Sequence, residues 1–206
     1  MDQTQLTERT NLADKAAAEG WLSASAMLTG RAHWGDDDAL RATGNLIQTL
    51  VGQHQADPQR IYLVGFSMGG GTALLAAANP LNLPYRAAAA VSTQGFTDLL
   101  AMTRPEAGGG AYARPIAEAY GGELDAEEAR THSPLEQAER LRGIPIYLEH
   151  GEADSAVPAS HTRRMAEKLQ GLAMPPVLQL FPGKGHGEET IDEAAIIEFL
   201  RGKAAP

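Results

Sequence analysis

The sequence GFSMGG, residues 65 to 70, has the G-x-S-x-G spacing of a turn that presents a nucleophilic serine. In such a turn the chain passes sharply from a strand into a helix, and the hydroxyl stands at the end of a parallel sheet. A serine hydroxyl is a weak nucleophile at neutral pH, so it needs a base to remove its proton and a third group to orient that base. Ser67 is therefore a candidate nucleophile, and its partners must be sought elsewhere in the chain. The alternative is a serine in an ordinary glycine-rich turn.

The candidate partners of Ser67 follow two later apolar runs. Asp154 comes shortly after IPIYLEH (144–150), and His186 comes shortly after PVLQLFP (176–182). The chain order Ser, Asp, His is the order that accompanies this type of serine turn. If both runs are strands of one parallel sheet, the three side chains lie beyond the same edge. Glu149 and Glu152 are the alternative acids, and they fit the spacing less well.

Five other histidines compete with His186 for the role of base. His54 and His161 lie in helical patterns and are expected on the surface. His150 belongs to an H-G dipeptide and is expected to be structural. The remaining two lie in loops that could border a pocket: His33 and His132.

The elements that must position these residues are five apolar runs that alternate with helical patterns. This alternation predicts an α/β fold, a mostly parallel sheet with helices on both faces, in a single domain over residues 1–206. The predicted strands are WLSASAML (21–28), RIYLVG (60–65), RAAAAVS (86–92), IPIYLEH (144–150) and PVLQLFP (176–182). The predicted helices are Thr4–Glu19, Ala39–Val51 after the acidic run 36–38, Met68–Ala78, a capping box at Ser133–Glu136, Pro158–Gly171 and Thr190–Arg201.

Residues 94–132 interrupt this alternation with two glycine-rich stretches, AGGG (107–110) and GG (121–122), around short helical patterns. Long insertions above a sheet are often functional, so we expect a small helical cap over the substrate site. A solvated excursion is the alternative.

Composition excludes several classes of protein. The chain carries a formal charge of −9, which argues against nucleic acid as a partner, and it contains no cysteine for disulfides, thiolate metal sites or nucleophilic catalysis. It has no apolar run long enough for a membrane span, and its polar start lacks the features of a signal peptide. We therefore expect a cytoplasmic protein, provided that Met1 is the natural start. We expect no metal ion and no cofactor, because serine, histidine and aspartate chemistry needs neither.

Three segments resemble the α/β-hydrolases, and within them the prolyl-oligopeptidase-like and dienelactone-hydrolase-like branches. They are DPQRIYLVGFSMGG (57–70), SPLEQAERLRGIPIYLEHGEADSAVP (133–158) and FPGKGHG (181–187). The resemblance implies that Ser67 is the nucleophile, His186 the general base and Asp154 its orienting acid. It also implies that the backbone N–H of Met68 donates to the oxyanion.

The resemblance further implies that the fold is shortened at its N-terminus. By this resemblance, about three strands of the family are missing, with the loop that carries the second oxyanion donor. Either the sequence starts downstream of the natural start, or it is a minimal version of the fold that takes this donor from Gln3, from another loop or from a partner chain. The missing strands would leave an uncovered sheet edge, which favours a homodimer.

The function expected from these features is that of a serine hydrolase that cleaves a carboxylic ester or a related acyl bond of a small molecule through an acyl-enzyme. A peptidase of the prolyl-oligopeptidase-like branch is an alternative, and so is a non-catalytic hydrolase-fold protein that binds a small molecule or a partner. Four side chains near the predicted strand ends are candidates for contact with substrate: Trp34, Thr93, Gln94 and Phe96.

Overall fold

The sheet contains four parallel strands in the computed structural model, which describes residues 10–25, 32–104 and 110–204. The strands are β1 (Tyr62–Phe66), β2 (Ala89–Thr93), β3 (Ile146–Gly151) and β4 (Val177–Phe181), and they lie in the order β1-β2-β3-β4. Because all pairs are parallel, the carboxyl ends meet at one edge, where Phe66 pairs with Thr93 and Gly151 pairs with Phe181. Four of the five predicted strands are confirmed, with bounds within three residues.

The predicted strand 21–28 is wrong where the structure describes it. Residues 21–25 belong to no strand, and residues 26–28 lie outside the described ranges. Leu22 is 55% exposed, so the apolar run that predicted a strand is not buried in the sheet at this position. Among the described residues, β2 is the strand that pairs with β1, and the other edge of β1 has no neighbour in the sheet. The homodimer expected from an open edge stays a prediction.

Seven helices surround the sheet in the described ranges. They are α1 (Leu12–Ala18), α2 (Asp37–His54), α3 (Met68–Ala78), α4 (Ala113–Ala119), α5 (Ala126–Thr131), α6 (Ser160–Gly171) and α7 (Glu193–Leu200). Alternate strand residues pack against opposite layers, as the pleat requires. Ala90 and Leu148 contact the cluster that includes α3 and α6, whereas Val91 and Tyr147 contact the cluster that includes α1 and α7. The α/β fold with helices on both faces is confirmed.

The helix ends confirm some of the capping predictions and contradict others. Asp36 caps α2 by accepting a hydrogen bond from the Ala39 N–H at 2.7 Å, as the acidic run predicted. The capping box at Ser133 is wrong, because residues 133–137 form turns followed by a 3₁₀ segment at Ala138–Leu141. The Ser133 hydroxyl instead donates to the Ala129 carbonyl and accepts from the Leu99 N–H. Its hydroxyl thus closes the end of α5 rather than beginning a helix. The last helix starts at Glu193 rather than Thr190, and residues 4–9 of the first predicted helix lie outside the described ranges.

The described part of the insertion 94–132 holds α4, α5 and two 3₁₀ segments. Its apolar side chains Leu99, Met102 and Ile116 are fully buried in one cluster with Leu40 of α2 and Leu75 of α3. The segment therefore packs on the domain. Its role as a cap over the substrate site stays a prediction.

No helix in ranges 10–25, 32–104 and 110–204 combines the length and the apolar character needed to cross a membrane.

Glu149 is a carboxyl group buried at the end of β3. Its side chain is fully buried, Oε2 accepts from the Asp192 N–H at 3.3 Å, and Oε1 has no partner within the described part of the chain. Burial raises its pKa to about 8, against the smaller lowering effects of the Asp192 N–H and the Tyr147 hydroxyl. The folded protein therefore keeps a proton that the unfolded chain has lost between pH 4.5 and about 8.

Core packing predicts a large effect at Leu74, a fully buried residue of α3. Leu74→Ala should lower the free energy of unfolding by about 2 to 5 kcal/mol, because it removes buried methyl groups and leaves a cavity. Leu178→Ala, at a position 41% exposed, is the matched control and should change it by less than about 1 kcal/mol. Urea unfolding measures both, and equal losses would contradict the packing described here.

Glu149 makes the stability of the fold depend on pH. Because its folded pKa lies above the unfolded value, the stability contributed by the protonated form is lost as pH rises from 4.5 through about 8. Glu149→Gln stays neutral, so its melting temperature should exceed that of the parent at pH 8, by a margin that shrinks toward pH 5. The exposed Glu139→Gln is the control. Melting temperatures are measured between pH 5 and 8.5. The assignment would be wrong if the melting temperatures of Glu149→Gln and the parent changed by the same amount over this range.

Candidate active site

Ser67 occupies the sharp turn between β1 and α3. Its φ of 56° and ψ of −122° lie in a region that non-glycine residues rarely adopt. The turn leaves no room for a side chain at Gly65, where an added Cβ would lie 2.0 Å from the Gly69 carbonyl oxygen. The Ser67 N–H donates to the Thr93 carbonyl at 2.9 Å, which ties the strained residue to the end of β2. The geometry is that of the predicted serine turn.

His186 joins Ser67 to Asp154 by two hydrogen bonds. Its Nε2 lies 2.9 Å from Ser67 Oγ, and its Nδ1 lies 2.6 Å from Asp154 Oδ2. Ser67, Asp154 and His186 follow β1, β3 and β4, so the parallel sheet brings together Ser67 and His186, which lie 119 positions apart. The His186 ring also packs on Phe66, with 5.0 Å between ring centroids. With Nδ1 donating to Asp154, Nε2 is the nitrogen that can take the hydroxyl proton.

Asp154 is held by four hydrogen-bond donors. Oδ1 accepts from the N–H groups of Ala156 and Val157, and Oδ2 lies within hydrogen-bond distance of His186 Nδ1 and His150 Nε2. Burial by itself raises the pKa of this carboxyl. The hydrogen bonds from His150, His186 and Val157, with the charge of His186, outweigh burial and hold the pKa below its usual range. The group therefore stays a carboxylate that can stabilise a protonated His186.

His150, which the sequence predicts to be structural, also contacts Asp154. It is fully buried, with Nδ1 2.6 Å from the Thr162 hydroxyl and Nε2 2.8 Å from the Val157 carbonyl. The carbonyl can only accept, so Nε2 carries the proton and also points to Asp154 at 3.1 Å. The H-G-x-x-D spacing, residues 150–154, was the signal available in the sequence.

The other candidate acids and bases lie away from this hydrogen-bond chain. Glu152 pairs with Arg163, and Glu149 bonds the Asp192 N–H. His54 is exposed as predicted, but the prediction for His161 is wrong. His161 is 2% exposed, and its Nδ1 accepts from the N–H of Thr97 in the insertion. Burial lowers its pKa to about 4. The two loop histidines have polar partners of their own: His33 with the Gly35 N–H, and His132 with Asp37.

Met68 is the first residue of α3, so the helix offers no acceptor for its N–H. That N–H belongs to the positive end of the helix dipole, directly after Ser67. Its role as oxyanion donor stays a prediction. Gln3, the suggested source of a second donor, lies outside the described ranges.

A cavity of about 960 Å³ opens beside Ser67 and runs along the outer edge of β1. Of the four predicted substrate contacts, Trp34 lines this cavity and packs on Phe96 and Tyr112. Thr93, Gln94 and Phe96 are buried in the interior, where Thr93 Oγ1 donates to the Gly65 carbonyl. Contact of the four residues with substrate stays a prediction. Within the described part of the chain, no three His, Asp or Glu side chains are grouped to hold a metal ion.

Solved structures share this fold. A Mycobacterium tuberculosis puromycin-hydrolyzing peptidase is 28% identical and superimposes with a TM-score of 0.59, covering 82% of this chain and 24% of its own. A carboxylesterase from Lactobacillus plantarum, 22% identical, superimposes with a TM-score of 0.56 over 73% of this chain and 55% of its own. The second likeness, at this low identity, bears on the fold alone.

Sequence comparison identifies the family. An uncharacterized peptidase from Bacillus subtilis is 31% identical over 129 residues, which are 61% of this chain, and the chain spans about half (48%) of that relative's length. The family model described as the prolyl oligopeptidase family matches residues 13–201, which include Ser67, Asp154 and His186. The α/β-hydrolase fold expected from the sequence is confirmed, and the chain belongs to the prolyl oligopeptidase family.

Proposed function

We propose that this chain is a serine hydrolase that cleaves a peptide or related amide bond through an acyl-enzyme on Ser67. The observation that carries the proposal is the pair of hydrogen bonds by which His186 joins Ser67 to the Asp154 carboxylate. A serine is activated as a nucleophile when its hydroxyl contacts a histidine whose other ring nitrogen bonds a carboxylate.

The choice of an amide bond over an ester revises the expectation from sequence. The prolyl oligopeptidase family model matches nearly the whole chain, and the Bacillus relative is named a peptidase. An ester is the second candidate substrate, because the same acyl transfer cleaves both bonds and a carboxylesterase shares the fold. We still expect a small acyl substrate, as the sequence predicts, but with an amine as the preferred leaving group.

The proposed reaction has two stages. In the first, Ser67 Oγ attacks the substrate carbonyl while its proton passes to His186 Nε2, and Asp154 stabilises the resulting imidazolium. His186 then gives this proton to the leaving amine as the C–N bond breaks, which leaves the acyl group on Ser67. In the second stage, His186 takes a proton from water, the hydroxide attacks the acyl carbonyl, and the proton returns to Ser67 as the carboxylic product leaves.

Two features would support the tetrahedral intermediates and the substrate. The Met68 N–H at the start of α3 is the proposed donor to the oxyanion, next to the attacking atom. The cavity beside Ser67 is lined by Trp34 from the domain and by Tyr112 and Pro115 from the insertion 94–132. This shared lining supports the proposal that the insertion acts as a cap which receives an apolar group of the substrate.

Turnover of matched chromogenic substrates tests this proposal. The parent should hydrolyse a blocked aminoacyl or dipeptidyl anilide, and Ser67→Ala or His186→Ala should lower kcat by about 10⁴-fold or more. Asp154→Asn should have a smaller but still large effect, because it no longer stabilises the protonated histidine. Ser160→Ala, at an exposed position, is the matched control.

The outcomes separate the candidate functions. Hydrolysis of an aryl ester without hydrolysis of any anilide would favour the ester. Turnover that survives Ser67→Ala would contradict the proposed nucleophile. Saturable binding of substrate without turnover, by a chain with native circular dichroism, would favour the non-catalytic binding protein.

A further inference from the structure

Gln94 connects the end of β2 to the loop that carries His186. It is the first residue after β2, and its side chain is completely buried. Its Nε2 donates to the Gly187 carbonyl at 2.8 Å, and its Oε1 accepts from the Gly187 N–H at 3.1 Å. The amide thus holds both backbone polar groups of the residue that directly follows His186.

The backbone of Gln94 is also held by a hydrogen bond. Its N–H donates to the Glu149 carbonyl at 2.8 Å, and its φ is 52°, a left-handed conformation that an ordinary residue adopts at a cost. The residue before it, Thr93, accepts the hydrogen bond from the Ser67 N–H. One dipeptide therefore holds the nucleophile through its backbone and the histidine loop through its side chain.

The loop after His186 makes further contacts, but Gln94 bonds the backbone of the residue directly beside the histidine. The Gly187 carbonyl also accepts from the Thr190 hydroxyl at 2.8 Å, but this contact lies within the loop itself. Further along the loop, Ile191 packs on the cluster that includes Val91 and Tyr147, and the Asp192 N–H bonds Glu149. Gln94 thus ties the backbone directly beside His186 to the end of β2.

We propose that Gln94 is a positioning residue for His186, which keeps Nε2 at hydrogen-bond distance from Ser67 by fixing the backbone of Gly187. This inference rests on the proposed function and assigns Gln94 a role different from the substrate contact expected from sequence. The two roles predict different kinetics. A substrate contact affects KM, whereas a misplaced base lowers kcat.

Gln94→Met tests the proposal, because methionine has nearly the same size and removes both hydrogen bonds. With an anilide or ester that the parent cleaves, we expect kcat to fall by about tenfold to a hundredfold, since small displacements of reacting groups cost rates of this order. KM should stay within about twofold, as expected when substrate binding is retained. Gln137→Met is the matched control, because the Gln137 side chain donates to the Arg130 carbonyl at the surface, away from His186.

A second variant and a second readout keep the test decisive. Gln94→Glu retains the acceptor for the Gly187 N–H but loses the amide donor, so it should lower kcat even if Gln94→Met does not fold. Proton NMR of the His186 Nδ1–H, hydrogen-bonded to Asp154, reports the position of the ring without any turnover. We expect this resonance to shift or to exchange faster with water in both variants, with His186→Gln identifying the signal.

The results distinguish the two proposals. A parent without turnover whose His186 resonance still responds to Gln94→Met contradicts the proposed function and supports the positioning role. An unchanged kcat with a raised KM, or an unchanged His186 resonance in a folded Gln94 variant, overturns the positioning role and leaves the proposed function intact.

Discussion

The close approach of the serine turn to the end of β2 is the constraint on which the rest of the site depends. Gly70 lies so near this strand end that an added Cβ would fall 2.9 Å from Gly95 Cα and 3.1 Å from the Thr93 carbonyl oxygen. This contact lets the Thr93 carbonyl reach the Ser67 N–H and hold a strained backbone in place. Glycine is required here by the distance between two backbones, and the cost of the strained turn is offset by the nearly complete burial of α3.

Charge compensation is the second requirement of the site. A carboxylate without exposed side-chain surface would be strongly destabilising if it were unpaired. Four donors surround Asp154, and two of them come from histidines on different parts of the sheet edge, His150 and His186. Two backbone N–H groups and His150 bond the carboxylate in addition to His186, so its orientation does not rest on the histidine ring alone.

The sequence predicted which three residues meet at the strand ends better than it predicted the neighbouring contacts that hold them. Ser67, Asp154 and His186 each follow a strand with clear apolar patterning, so parallel pairing alone brought them to one edge. The burial of His161 and the hydrogen bonds of Gln94 depend on which loop packs over a helix and on how a side chain points, and no local pattern encodes either. The capping box at Ser133 failed for a related reason, since tertiary contacts with Leu99 and Ala129 engage its hydroxyl. Residues 21–25 show a different error, an apolar, strand-like run without strand pairing.

The most direct test of the account is the mass of the intact chain after exposure to a fluorophosphonate, which reacts with serine hydroxyls that a neighbouring base activates. We expect a single adduct that maps to Ser67, is absent in Ser67→Ala, and forms far more slowly in His186→Ala. An unlabelled parent with native circular dichroism, or an adduct on another serine, would contradict the claim that His186 activates Ser67.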